Sequence, residues 1–342
     1  MPNAYISGTG AHVPPRVVTN DDLRTQYGID TTHEWILQRS GIETRHFAED
    51  GQCSADLAVP AAEQAIERAG LQKTDIDMII FATLSPKHAF PGDGVYLQQK
   101  LGLCELGRFI PAMDIRNQCS GFLYGLASGA SMVQSGMVKH VLVVGGEVHS
   151  AGLDLSTRGR TVASLFGDGA GAVIVSPTEE DRGLRGWYLG ADGRHADVLC
   201  QKVWDMSKRP YIPLREEDGA GIIDPGMMYA YMEGKTVFKN AVERMIQALM
   251  QACWAQKIDL KDIDLFFFHQ ANLRINQMVA QMMGIPEEKL VSNIQRYGNT
   301  TAATIPLLLA EAEESGRLTR GMKIACVAFG SGFTWGSAIL DW

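Results

Sequence analysis

A cysteine, a histidine and an asparagine stand where secondary structure changes: Cys119 in MDIRNQCSGFLYGLASG (113–129), His269 in DLFFFH and Asn299 in YGNTTAA. Cys119 follows strand-like residues (Phe109, Ile110, Met113, Ile115). It precedes Phe122, Leu123, Leu126, Ala127 and Ala130 at helical spacing. A thiol at a helix start meets unpaired backbone N–H groups and the positive end of the helix dipole. That setting predicts a lowered thiol pKa and a nucleophile. His269 closes an apolar strand at its carboxyl end, where open α/β sheets place ligands. Asn299 precedes the helix begun by Thr300 and Thr301. Each residue alone has a commoner explanation: a buried Cys, a satisfied core His, an N-cap Asn.

A repeat raises all three above those explanations. Residues 61–83, AAEQAIERAGLQKTDIDMIIFAT, and 248–270, ALMQACWAQKIDLKDIDLFFFHQ, each read as a helix, a polar turn with Asp-Ile-Asp and an apolar strand. LQQKLGL (97–103) matches VAQMMGI (279–285). DIRNQCSGFLYGLASGASMVQSG (114–136) matches NIQRYGNTTAATIPLLLAEAEESG (293–316). VVGGEV…FGDGAGAVIV has its counterpart in CVAFGSGFTWGSAIL. Aligned on the closing pairs Ser135-Gly136 and Ser315-Gly316, Cys119 falls opposite Asn299. A pseudo-twofold arrangement would therefore bring these junctions together from opposite halves.

The remaining elements fit that plan. Strands are predicted at Tyr5–Gly8, Asp77–Thr83, Val141–Gly145 and Ala170–Ser176. Helices are predicted at Asn20–Arg24 with Asn20 as N-cap, from Ser54 as cap to about Gly70, and at Asp93–Leu101. Alternating strands and helices predict an α/β protein with a sheet covered on both faces. The halves are 1–177, carrying the nucleophile, and 178–342, carrying His and Asn. About 178–235, rich in Pro, Gly, charge and aromatics, reads as an insertion that could act as a lid.

Bulk properties exclude several classes. The 342 residues are 46% hydrophobic and 20% charged, an ordinary globular composition, with net charge −8 and no Lys/Arg block for nucleic acid. The six cysteines lack a CxxC pair, which predicts neither a disulfide framework nor a metal site, in a reducing compartment. No secretory segment or membrane span is legible, so a cytoplasmic protein is expected. GDGAGA (167–172) runs into a strand, not a helix, and fails as a dinucleotide fingerprint. GGEVHS (145–150) lacks the ending of a phosphate loop. FGSGFTWGS (329–337) differs, because its small residues would let backbone N–H groups approach a ligand, as an oxyanion hole requires.

Across nearly its whole length the chain resembles the β-ketoacyl-acyl-carrier-protein synthase III group of the thiolase superfamily. The carriers are EWILQRSGIETR (34–45), HAFPGDG (88–94), QCSGFLYGL (118–126), STRGR (156–160), FGDGAGAVIV (166–175), HQANLRI (269–275), YGNTTAATIPL (297–307) and FGSGFTWGSAIL (329–340). The resemblance implies a thiolase fold: two duplicated βαβαβαββ-type halves in a five-layered αβαβα arrangement, as a homodimer. It implies a triad of Cys119, His269 and Asn299, and an oxyanion hole from the N–H groups of Cys119 and Ser331. Ser331 stands where the family commonly has Gly. The coenzyme A contacts would be Trp35 and Arg158, holding adenine, with Arg39, Gly159 and Phe238. Lys235 stands where the family often has Asn. Arg274 and Lys239 would meet the carrier protein, and Phe90 would enter the partner subunit's acyl pocket.

The activity so implied is decarboxylating condensation of acyl-coenzyme A with malonyl-acyl-carrier protein. Coenzyme A thioester is a substrate, and no metal or resident cofactor is expected. Ala328 stands where non-decarboxylating thiolases carry a second Cys, and Cys326 reads as core. The alternative within the fold is a specialised ketosynthase of secondary metabolism, condensing or transferring longer acyl chains. The order Cys…His…Asn also fits a papain-like protease, but the local C-G-S-C-W signature is missing.

Overall fold

The computed structural model describes residues 3–209, 214–217, 220–223 and 225–342. Two five-stranded sheets form its frame. In the first, the spatial order is Asn3–His12, Gly169–Thr178, Val141–Glu147, Met78–Ala82 and Ala112–Ile115. In the second it is Gly183–Ala191, Thr334–Asp341, Lys323–Gly330, Leu265–Phe268 and Leu290–Val291. Each sheet runs antiparallel, antiparallel, parallel, parallel in that order. The two halves thus share one topology.

Helices make the other three layers. Ser54–Arg68 covers the outer face of the first sheet, burying Leu57, Ala61, Ala62 and Ala65. Gly234–Gln256 and Leu273–Met283 cover the outer face of the second, burying Met245, Leu249 and Val279. Between the sheets lie Gly121–Gln134 and Thr304–Glu314. Phe122, Leu126, Ile305 and Leu309 there join Val143, Val173, Phe267 and Ile324 in one core. Strands buried on both faces explain the continuous apolar runs Met78–Ala82 and Leu265–Phe268.

The structure corrects four details. Thr19, not Asn20, caps the first helix through a capping box with Asp22; buried Asn20 instead donates to the Ile42 carbonyl. Cys53, not Ser54, is the cap of the Ser54–Arg68 helix. Gly183–Ala191 is the edge strand of the second sheet, so the segment outside the repeat starts after Ala191 rather than at 178. Of the 178–235 reading, residues 210–213, 218, 219 and 224 lie outside the described residues.

The fourth correction concerns the repeat register. Gly121–Gln134 has 14 residues and its counterpart Thr304–Glu314 has 11. Each is preceded by a short 3₁₀ turn, Gln118–Ser120 and Thr301–Ala303, opened by a non-glycine residue at positive φ: Gln118 at 45° and Thr301 at 49°. The residue matching Cys119 is therefore Ala302, not Asn299. Alignment from the helix ends slipped because the second helix is nearly one turn shorter.

Candidate active site

The nucleophile position is built by the end of the Ala112–Ile115 strand and the strained turn at Gln118. Cys119 is 8% exposed. Its neighbour Ser120 hydrogen-bonds Thr334 through their hydroxyls at 2.8 Å, tying this turn to the 331–334 loop of the other half. A Cβ on Gly330 would lie 2.6 Å from the Cys119 Cβ, so only glycine lets the strand end come this close. The backbone N–H groups of Cys119 and Ser331 both point at Sγ. They are the two donors named for an oxyanion hole.

The lowered thiol pKa expected from a helix start is not what the resting site shows. Burial, then the negative charge of Glu147, push the Cys119 thiol up to about 12, and the two N–H groups only oppose this. Glu147 is itself buried and raised to about 7 by desolvation. It accepts hydrogen bonds from Thr83, the Leu84 and Ser85 backbone, and the Ser85 hydroxyl.

His269 follows the Leu265–Phe268 strand and is held by its N–H to the Val327 carbonyl at 2.8 Å. Burial lowers its pKa to about 3, so the imidazole is neutral. Nδ1 meets the Thr304 hydroxyl at 2.7 Å; buried Nε2 has no partner among the described residues. Asn299 is pinned by its backbone, its N–H to the Leu165 carbonyl and its carbonyl to the Gly167 N–H. Its Oδ1 accepts the Thr301 N–H at 2.8 Å, which fixes the amide and leaves Nδ2 as a donor.

Cys119, His269 and Asn299 line one cavity of about 130 Å³, with Phe166, Phe238 and Phe329 on its walls. Leu199 and Met232, on two short paired strands beyond Ala191, also line it. The Ser331 hydroxyl donates to the Leu199 carbonyl, anchoring that segment to the loop whose N–H faces Sγ. Cys326 is fully buried on the Lys323–Gly330 strand and belongs to the core between the sheets.

The other sequence-named residues are placed as follows. Trp35 lies on the His33–Ser40 helix, with the Arg39 guanidinium 4.3 Å from its ring centroid. The second cation over this ring is Arg160, at 5.2 Å, which sequence reading passed over. Arg158 pairs with Asp154 at 2.6 Å instead. Two arginines flank Gly159 in STRGR, and only the turn there decides which one faces Trp35. Gly159 packs against Asp154, whose carbonyl oxygen would be 2.1 Å from an added Cβ. Arg274 donates to the Leu37 and Gln38 carbonyls, bracing the end of the Trp35 helix. Lys239 is exposed on Gly234–Gln256, and Phe90 is 84% exposed.

Sequence reading also missed Thr301, Thr304, His149 and Glu147, which support the three central residues. His149 Nε2 hydrogen-bonds the Thr301 hydroxyl, and its ring packs at a tilt against Phe166. The Thr-rich run after Asn299 was the available signal, but nothing in it separates a helix start from a supporting network.

Profiles of 3-oxoacyl-[acyl-carrier-protein] synthase III match residues 113–193, and its C-terminal part residues 253–342. The structure of 3-oxoacyl-[acyl-carrier-protein] synthase III from Aquifex aeolicus is 34% identical, covering 99% of this chain and 100% of that one, with a TM-score of 0.87. This chain belongs to the 3-oxoacyl-[acyl-carrier-protein] synthase III family. The Thermus thermophilus β-ketoacyl-[acyl carrier protein] synthase III is 36% identical over 99% of both chains, TM-score 0.86. The priming β-ketosynthase of the R1128 polyketide pathway is 30% identical over 99% of this chain and 96% of that one, TM-score 0.87. The two-sheet, five-layer architecture is thus that of the family's thiolase fold. Among the described residues no helix is long and apolar enough to cross a membrane.

Proposed function

We propose that this protein condenses an acyl primer from acyl-coenzyme A with malonyl-acyl-carrier protein, releasing carbon dioxide and starting fatty acid synthesis. The observation that carries this reading is the convergence of Cys119, His269 and Asn299 on one cavity, with the Ser331 N–H at Sγ. In the first stage Sγ attacks the thioester carbonyl. Its oxygen takes over the N–H groups of Cys119 and Ser331, the bond to coenzyme A breaks, and the thiol proton leaves on coenzyme A. In the second stage His269 Nε2–H and Asn299 Nδ2–H donate to the malonyl thioester oxygen. The carbon–carboxylate bond breaks, its electron pair forms the enolate, and that carbon attacks acyl-Cys119. Cys119 leaves as thiolate and takes a proton from solvent.

Trp35, Arg39 and Arg160 form an aromatic and cationic shelf suited to a nucleotide. Exposed Lys239 and Arg274, on neighbouring helices, suit an acidic carrier protein. Phe90, exposed in one chain, suits burial in a homodimer. The enzyme is read as cytoplasmic, with no resident cofactor.

The polyketide-priming relative supports a second reading, a specialised synthase with a different primer. Intact-protein mass after incubation with acyl-coenzyme A of graded chain length, followed by malonyl-carrier protein, tests both. Acetyl transfer to Cys119 and a 3-oxoacyl product support initiation. Preference for longer primers supports the second reading. No acylation of Cys119 by any of them sinks both.

A further inference from the structure

The Thr304 hydroxyl lies between two hydrogen-bond partners. Its oxygen is 2.7 Å from His269 Nδ1 and 2.9 Å from the Thr301 carbonyl. A hydroxyl carries one proton, so it can donate to only one of them. If it donates to the Thr301 carbonyl, as a helical Thr commonly does to the preceding turn, Nδ1 must carry the imidazole proton. Nε2 would then present a lone pair to the cavity and repel a thioester oxygen. If it donates to Nδ1, the proton of the neutral ring sits on Nε2, which becomes a donor. The Thr301 carbonyl then gives up this partner.

We propose that Thr304 is a positioning residue that donates to His269 Nδ1 and thereby holds His269 as the Nε2–H tautomer, the form able to donate to the malonyl thioester. The surroundings suit the task. Thr304 is 2% exposed and His269 is 2% exposed, so water cannot substitute for the hydroxyl. Nε2 has no partner among the described residues and stands on the cavity that Asn299 also lines. The competing carbonyl belongs to Thr301, whose N–H fixes the Asn299 amide. One turn of chain, Thr301 to Thr304, therefore orients both donors of the second stage. The inference rests on the proposed condensation but concerns its second stage alone.

The test compares Thr304→Val, which keeps shape and loses the hydroxyl, with Thr304→Ser, which keeps it. Acylation of Cys119 by acyl-coenzyme A is read as a burst, and condensation as turnover with malonyl-carrier protein. The expected result is an unchanged burst in both variants. Turnover falls about 10-fold or more in the valine variant, up to the 10²–10³-fold cost of losing a donor outright. The serine variant stays near wild type. Nitrogen-15 spectra of histidine-labelled protein, with His269→Gln to assign the signal, should show protonated Nε2 in wild type and a mixture in Thr304→Val. Protonated Nδ1 in wild type, or full turnover by the valine variant, would overturn the proposal. So would equal losses in both variants. Should Thr304→Val not fold, the wild-type spectrum and the serine variant still decide. A wild-type enzyme that shows no burst would instead count against the proposed function.

Discussion

Thr301 donates its backbone N–H to Asn299 Oδ1 at 2.8 Å, from a residue held at φ 49°. The bond decides which end of the amide faces the cavity, and so makes Asn299 a donor. Asn299→Ala should therefore abolish most condensation and leave the acylation burst largely intact. The expected loss is about 10²–10³-fold in turnover, the usual cost of removing one preorganised donor. Stopped-flow release of coenzyme A measures the first stage, and carbon dioxide release the second. Equal losses in both would contradict the division of labour between the halves.

What the sequence disclosed depended on signals that repeat or alternate. The buried strands, the paired helices and the order of elements were legible because apolar runs recur in both halves. The three residues that line one cavity, Cys119, His269 and Asn299, stood out because each ends a strand or starts a helix. The helix register was not, since matching Ser135-Gly136 to Ser315-Gly316 hides a difference of nearly one turn. The edge strand Gly183–Ala191 was read as insertion because its glycines and polar residues lack a continuous apolar run. Choices made by a short turn, such as Arg160 over Arg158 at Trp35, have no sequence signature.

Arg160 is predicted to hold the nucleotide end of coenzyme A. A cation over an indole contributes roughly 0.5–2 kcal/mol, about 2- to 30-fold in KM. Arg160→Ala should raise the KM for acyl-coenzyme A by that factor and leave the rate with a truncated thioester, lacking the nucleotide, unchanged. Arg158→Ala, whose guanidinium pairs with Asp154, should change this KM less. A larger effect from Arg158 would reverse the assignment.

Cys119 at rest should react slowly with neutral alkylating agents. Its pKa, pushed up to about 12, keeps the thiolate fraction rising about tenfold per pH unit throughout the neutral and mildly alkaline range. Iodoacetamide labelling followed by mass spectrometry from pH 7 to 9.5 should show that slope. A plateau below pH 8 would mean that the N–H groups at Sγ outweigh burial and Glu147.

Acid sensitivity should trace to the two buried histidines. His149 and His269 are both lowered to about 3 by burial, against an ordinary value near 6.5. Between those values the unfolded chain binds protons that the folded chain refuses. Their contribution to stability is thus complete above pH 6.5 and lost as pH falls toward 3. By pH 5 each would have forfeited ~2 kcal/mol. Glu147 acts oppositely: raised to about 7 from 4.5, it keeps its proton when folded, so acidification over that window favours the native state. Two histidines against one glutamate leave a net loss between pH 7 and 5. His149→Phe, which keeps a ring against Phe166, should reduce that loss by ~2 kcal/mol even if it lowers stability at every pH. Urea unfolding at several pH values measures the slope, and identical slopes in wild type and variant would show that His149 is not buried in its neutral form.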